Sequence, residues 1–207
     1  MKTLSASLSF LLLGTTAALA QQPAPAAPEL HTLVSPASHL GFFAATSAQY
    51  TRLVGEDALA LTGRLGITFN RALSLGLGGT ALANGPIPDR WYDPNGSSPN
   101  YLAAAYGGLY VEPLVPAGKL VHLAFPVLVG GGAATNDDDF TGPYRDYRTD
   151  GFFIVEPGVT VEVNVTKFLV LGLGTTYRHT AGFDLPGTSR TALNGWSGGL
   201  TLKVGRF

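Results

Sequence analysis

Through most of the chain beyond residue 39, apolar residues alternate with small or polar ones in successive runs broken by Gly, Asn and Pro. Successive side chains of an extended strand point to opposite faces, so each run sorts into two surfaces. Within 58–69, Leu59, Leu61, Leu65, Ile67 and Phe69 fall on one face, and Thr62, Arg64 and Thr68 on the other. Within 119–130, Val121, Leu123, Phe125, Val127 and Val129 oppose His122 and Ala124. Within 151–163, Phe153, Val155, Val159, Val161 and Val163 oppose Glu156, Thr160 and Glu162. The pattern predicts strands at Leu40–Leu53, Ala58–Phe69, Ala72–Ala83, Tyr101–Glu112, Lys119–Gly130, Gly151–Val163, Lys167–Thr180 and Leu193–Phe207.

The links carry a second rhythm. Those after the second, fourth and sixth strands are tight (70–71, 115–118, 164–166), whereas 84–100, 131–150 and 181–192 are long. Strands that run up and down with tight turns at one rim and long loops at the other describe a closed membrane barrel. The sequence therefore predicts an all-β, eight-stranded antiparallel up-and-down transmembrane β-barrel over 40–207.

The segment before it reads differently. Lys2, an apolar stretch Leu4–Leu13 interrupted by serines, and Ala18-Leu19-Ala20 make residues 1–20 a signal peptide cleaved near Ala20. Residues 21–39, rich in Pro and Ala, are expected to be a periplasmic leader. There is no Cys, so neither a disulfide framework nor a lipidated cysteine is available.

Composition agrees with a lipid-solvated outside. Only 13% of residues are charged, against about 25% in a soluble domain. After residue 21 no apolar run is long enough for a transmembrane helix. Without Lys2, the 13 Lys and Arg become 12 against 14 Asp and Glu, so no basic field exists to attract nucleic acid. The rival architecture is a soluble lipocalin-like, ligand-binding barrel with the apolar face inside. Its outer face needs many Lys and Glu, and here the polar face is mostly Gly, Ala, Ser and Thr. The expected location is the bacterial outer membrane, with lipid as the surrounding partner.

Candidate chemistry is concentrated inside. Alternation places Arg64, Glu112, His122, Glu156, Glu162, Arg178 and Lys203 on the lumen face. Buried charges must be paired or wet, which predicts a salt-bridge network locking the barrel, with a polar conduit for small solutes as the alternative. Pro126 and Pro157 fall inside strands at similar depth, where a bulge, a kink or a lateral opening is expected. The outer loops hold Trp91, Tyr92, Asp137, Asp138, Asp139, Tyr144, Arg145, Tyr147 and Arg148, candidates for contact with an extracellular or envelope partner. Tyr50, Tyr101 and Tyr177 suit interfacial girdles. No nucleophile motif, metal-ligand spacing or phosphate loop occurs, so no cofactor, metal or catalytic residue is assigned.

Several segments resemble a known family. Phe152-Phe153-Ile154-Val155-Glu156-Pro157-Gly158, Val163-Asn164-Val165-Thr166-Lys167, Thr176-Tyr177-Arg178 and the ending Gly198–Phe207 are similar to porin-like outer-membrane barrels of Bacteroidota, of the small OmpA/OmpX type. The resemblance covers the last third well and the rest by pattern. It implies location and fold rather than a substrate, and it implies that Phe207 serves as the signal read by the barrel assembly machinery. Phe207 is one step out of phase with Leu200, Leu202 and Val204, so a bulge near Gly205 is expected to restore the face. Taken together, the sequence points to a non-enzymatic barrel with a structural or surface-interaction role, a narrow porin-like channel being the alternative.

Overall fold

The chain divides into two units, Met1–Thr32 and Leu33–Phe207. The structure, a computed structural model, describes residues 39–84, 101–137, 147–186 and 188–207, all in the second unit. The signal peptide, the leader up to residue 38, and Trp91, Tyr92, Asp138, Asp139, Tyr144 and Arg145 lie outside the described residues.

Among the described residues the strands are β1 (Leu40–Leu53), β2 (Glu56–Phe69), β3 (Leu73–Ala83), β4 (Tyr101–Val115), β5 (Val121–Ala124), β6 (Val127–Asp137), β7 (Tyr147–Asn164), β8 (Leu169–Ala181) and β9 (Gly195–Arg206). All pair antiparallel, and β1 bonds both β2 and β9, which closes the sheet. Both β5 and β6 pair with β4 on one side and β7 on the other. They are halves of one stave, so the barrel has eight. Closure leaves no edge, and every stave finds partners for its backbone on both sides.

Turn chemistry sets the registers. Val54 and Gly55, at φ 52° and 82°, form a two-residue hairpin closed by Leu53 opposite Glu56. Two positive φ angles give the turn a twist that matches the strands. Asn70 and Arg71 repeat this at φ 51° and 56°. The Asn70 side chain also accepts a hydrogen bond from the His39 amide at 3.0 Å, fixing the start of β1. The links at 70–72, 116–120 and 165–168 and both ends of the described barrel lie at one rim (the turn end), and the tight 54–55 hairpin lies at the other (the loop end) with the remaining links between staves.

Three expectations are corrected here. First, the wall at Pro126 and Pro157 has no bulge. Leu114 pairs Ala124 and Val111 pairs Val127, the same step on each side of the break, so register is kept. Proline lacks a donor but its carbonyl still accepts: Phe125 donates to the Pro113 carbonyl at 2.9 Å and Gly158 to the Pro126 carbonyl at 2.8 Å. The break is thus an interruption of the ladder and not an opening. Second, the 131–150 link is shorter than expected. Strand pairing continues through Thr135–Thr149 to Asp137–Tyr147, so Asp137, Tyr147 and Arg148 belong to strand ends. Polar residues do not stop a ladder once it has risen above an apolar band. Third, β9 passes Gly205 in regular register, with Phe43 opposite Gly205 and Ala44 opposite Val204. Gly205 fits because a Cβ there would run into the Phe42 carbonyl. Phe207 consequently shares the inward face and packs against the Phe43, Ala45 and Tyr110 cluster.

The outward face is apolar around the circumference, with Leu61, Leu77, Leu109, Phe153, Leu173 and Leu200 all more than half exposed. A belt of this size is far beyond the patches water tolerates, and it matches the band that lipid solvates. Tyr177 and Trp196, cross-strand neighbours with ring centroids 5.0 Å apart, sit outward towards the loop end.

Candidate functional site: a lumen sorted into layers

The same alternation that makes the outside apolar delivers side chains of changing polarity to the inside. The layer nearest the loop end is apolar. Leu53, Leu82, Leu102, Phe152 and Ile154 from the staves meet Phe183, Leu185 and Leu193 from the 182–194 link, all buried. That link folds inward as a cap. Phe152 holds Phe183 edge-on, with ring centroids 6.2 Å apart and planes at 89°.

Beneath the cap lies Arg178, with no exposed surface. Its guanidinium donates to the Leu193 carbonyl at 2.5 Å and to the Ser197 and Thr51 hydroxyls at 3.3 Å each. Asn194 Oδ1 accepts from both the amide and the hydroxyl of Thr180 at 2.8 Å. Outside, Asp184 and Arg190 form a two-pronged pair at 3.0 and 3.1 Å. The hydrogen bond from Arg190 holds the Asp184 carboxyl below the usual carboxylate range. The Asp184 amide donates to Asp150 at 2.5 Å, tying the cap to β7.

The middle layer is polar. Glu156 accepts from the Tyr106 hydroxyl and from Thr176, each at 2.7 Å. Arg64 reaches Tyr110 at 3.0 Å, Thr201 at 3.2 Å and Ser47, with its guanidinium carbon 5.2 Å from the Tyr110 ring centre. The free volume here is ≈ 30 Å³, lined by Arg64, Tyr110, Glu156 and Thr176 among others. That is room for about two water molecules.

The layer towards the turn end is ionic. Lys203 bridges Glu112 at 2.6 Å and Glu162 at 2.7 Å, all three at most 2% exposed. His122 Nε2 lies 3.0 Å from Glu162, and Tyr110 donates to Glu112. Lys203 also stands over the Phe43 ring, 5.5 Å from its centre. A continuous chain results: Arg64, Tyr110, Glu112, Lys203, Glu162, His122, drawn from β2, β4, β9, β7 and β5.

Of the seven lumen candidates, five therefore join this chain: Arg64, Glu112, His122, Glu162 and Lys203. The other two are placed differently. Glu156 is held by hydroxyls, and Arg178 is a clamp on the cap. Sequence reasoning did not single out Tyr106, Tyr110 or the cap residues Phe183, Leu185 and Leu193. The signal for the tyrosines was parity, since both share the face of Glu112 while Leu109 and Val111 take the other. Among the described residues, no group of His, Asp and Glu is arranged to hold a metal ion.

Beyond the ionic layer the lumen widens into a cavity of ≈ 620 Å³, open at the turn end. Among the described residues the lumen thus passes from an apolar cluster at the loop end to an open cavity at the turn end.

The barrel shares its fold with Neisserial surface protein A. That structure superposes with a TM-score of 0.54 at 13% identity, over 81% of this chain and 97% of that one. The fold is accordingly that of the small outer-membrane barrels, all-β, closed and eight-stranded. Ail, the attachment invasion locus protein of Yersinia pestis, aligns over 82% of this chain and 97% of its own at 14% identity and a TM-score of 0.41. No family model and no curated protein matches the sequence.

Proposed function

We propose that the protein is an integral outer-membrane barrel with a non-enzymatic, structural or surface-interaction role, its turn end facing the periplasm and its loop end facing outward. The sealed lumen is the observation that carries this reading. A diffusion pore needs a wet path from rim to rim. Here an apolar cap, a middle layer with ≈ 30 Å³ of free volume and a neutralised ion chain lie in series. An eight-stave barrel is just wide enough for side chains to fill it, and these side chains do so. The apolar belt supports insertion in lipid, and the shared fold with a protein named as a surface protein supports the outward role.

The test has two parts. The full chain in the outer-membrane fraction should run as a fast band in SDS that shifts on boiling, and the purified barrel in a planar bilayer should give no steady conductance. Regular single-channel steps would replace this reading with the porin-like channel. Shortening the outer links to tight turns should then reduce cell adhesion or aggregation while leaving the heat-shifted band intact. Unchanged adhesion would leave the barrel a purely structural element.

A further inference from the structure

We infer that the cavity at the turn end is a binding site for a phosphate-bearing anion, one per barrel. Cations are distributed along the chain so that they meet at this rim. Arg71 comes from the β2–β3 turn, Lys167 from the β7–β8 turn and Arg206 from the end of β9, and all three line the cavity. Among the described residues, none of the three has an ion-pair or hydrogen-bond partner. The described acids at this end are Glu112 and Glu162, and both are taken up by the ion chain. All other described acids lie at mid-depth or at the loop end.

The shape suits a ligand. A volume of ≈ 620 Å³ lies within the range of small-molecule sites, about 300–1,000 Å³. Its walls include apolar Leu114, Val170 and Phe207, and its floor carries Lys203, His122 and Glu162, the carboxylate being engaged by Lys203 and His122. Cations around the mouth of a concave pocket raise the positive potential at its entrance. Two guanidiniums favour phosphate over a simple halide, because their planar forks match its oxygens. The apolar walls favour a phosphate with an organic substituent. Such a group is available from an anionic phospholipid headgroup of the adjacent leaflet or from a free phosphate-bearing solute.

The periplasmic orientation of the mouth rests on the outer-membrane reading above. The test reads the cavity itself, so its result does not depend on location or conductance. The full barrel is refolded in phosphatidylcholine nanodiscs and the His122 ring signals are followed by NMR during titration with inorganic phosphate, with chloride at matched ionic strength as control. A second sample contains phosphatidylglycerol without added phosphate. The expected result is a saturable shift at His122 that chloride does not reproduce and that weakens at least about tenfold in the triple variant R71Q/K167Q/R206Q. These three residues are exposed, so the variant should keep its heat-shifted band. A shift in the phosphatidylglycerol sample assigns the anion to lipid, and a shift with phosphate alone assigns it to a solute. A still His122 in both samples, an equal response to chloride, or an unaltered response in the triple variant would each overturn the inference.

Discussion

Lys203 is the residue on which the ionic layer depends, and Lys203→Met is the perturbation that tests it. Its ammonium touches two carboxylates at 2.6 and 2.7 Å. At an effective dielectric of about 20, each contact is worth roughly 6 kcal/mol of gross attraction. Desolvating three buried charges costs several kcal/mol per ion, so most of that attraction is offset in the intact barrel. Methionine has nearly the same length and removes the attraction while leaving Glu112 and Glu162 buried without their cation. The expected loss is therefore about 3–5 kcal/mol, the usual cost of breaking a buried pair from one side. The control is K203M/E112Q/E162Q, which removes the charges together and should return to within about 2 kcal/mol of the parent. Urea titration of the refolded barrel, with the folded fraction read from SDS gel mobility, measures both. A K203M midpoint equal to the parent's would mean the carboxylates are neutral or hydrated, and the layer would lose its structural role.

Four further outcomes are expected. Arg178→Met should cost about 3–5 kcal/mol, because a fully buried cation and its bonds to Leu193, Ser197 and Thr51 are lost, and hydrogen exchange should speed up in 188–194 before it does in the staves; uniform exchange would refute the clamp. Glu156→Gln should cost only about 1–3 kcal/mol, since amide and hydroxyls still bond, and a larger loss in the urea midpoint would indicate a cation partner. Val54→Asn should stabilise by roughly 1 kcal/mol, as a β-branched residue at φ 52° is replaced by the preferred Asn-Gly turn; a lower urea midpoint would contradict the turn assignment. The cap should loosen in acid: Asp184 is held below its ordinary value by the Arg190 hydrogen bond, so that contribution is present above the unfolded carboxylate pKa and is lost as pH falls through the depressed one. Amide exchange at Asp184 and its neighbours should rise in that window, and Arg190→Gln should abolish the pH dependence.

The fold was legible because a period of two is written twice in this chain, once by the lipid-facing leucines and valines and once by the small residues between them. Strand β1 runs Leu40–Leu53 in the structure, as alternation predicts. What alternation does not encode is where pairing ends. Once a strand rises above the apolar band, continued hydrogen bonding rather than hydrophobicity carries it, which is why β6 and β7 reach Asp137 and Tyr147. The lumen was half legible. Parity assigns Glu156 and Arg178 to the inside as firmly as Lys203, but partners are set by stagger between staves distant in sequence. Lys203 and Glu112 meet across 91 positions. Phe207 shows the same limit: its face follows from Gly205 needing no bulge, a matter of what Phe42 leaves room for.

The axial order of the lumen follows from what each rim must do. An apolar layer at the loop end keeps water from that side of the charges, and a buried ion chain is stronger where it is dry. The apolar cap supplies that dryness, which is why Arg178, the cation nearest the cap, bonds backbone and hydroxyls of the cap and of β1 and β9 rather than a carboxylate. At the turn end the interior opens into a cavity whose floor is the ion chain itself, through Lys203, His122 and Glu162. The ion chain is therefore the boundary between the apolar-capped loop half and the cavity at the turn end. Lys203 alone pairs both carboxylates, and Arg64 joins the chain through the Tyr110 hydroxyl. A substitution that unbalances it, such as Lys203→Met, should be felt in both halves, while R71Q/K167Q/R206Q at the mouth should leave the cap untouched.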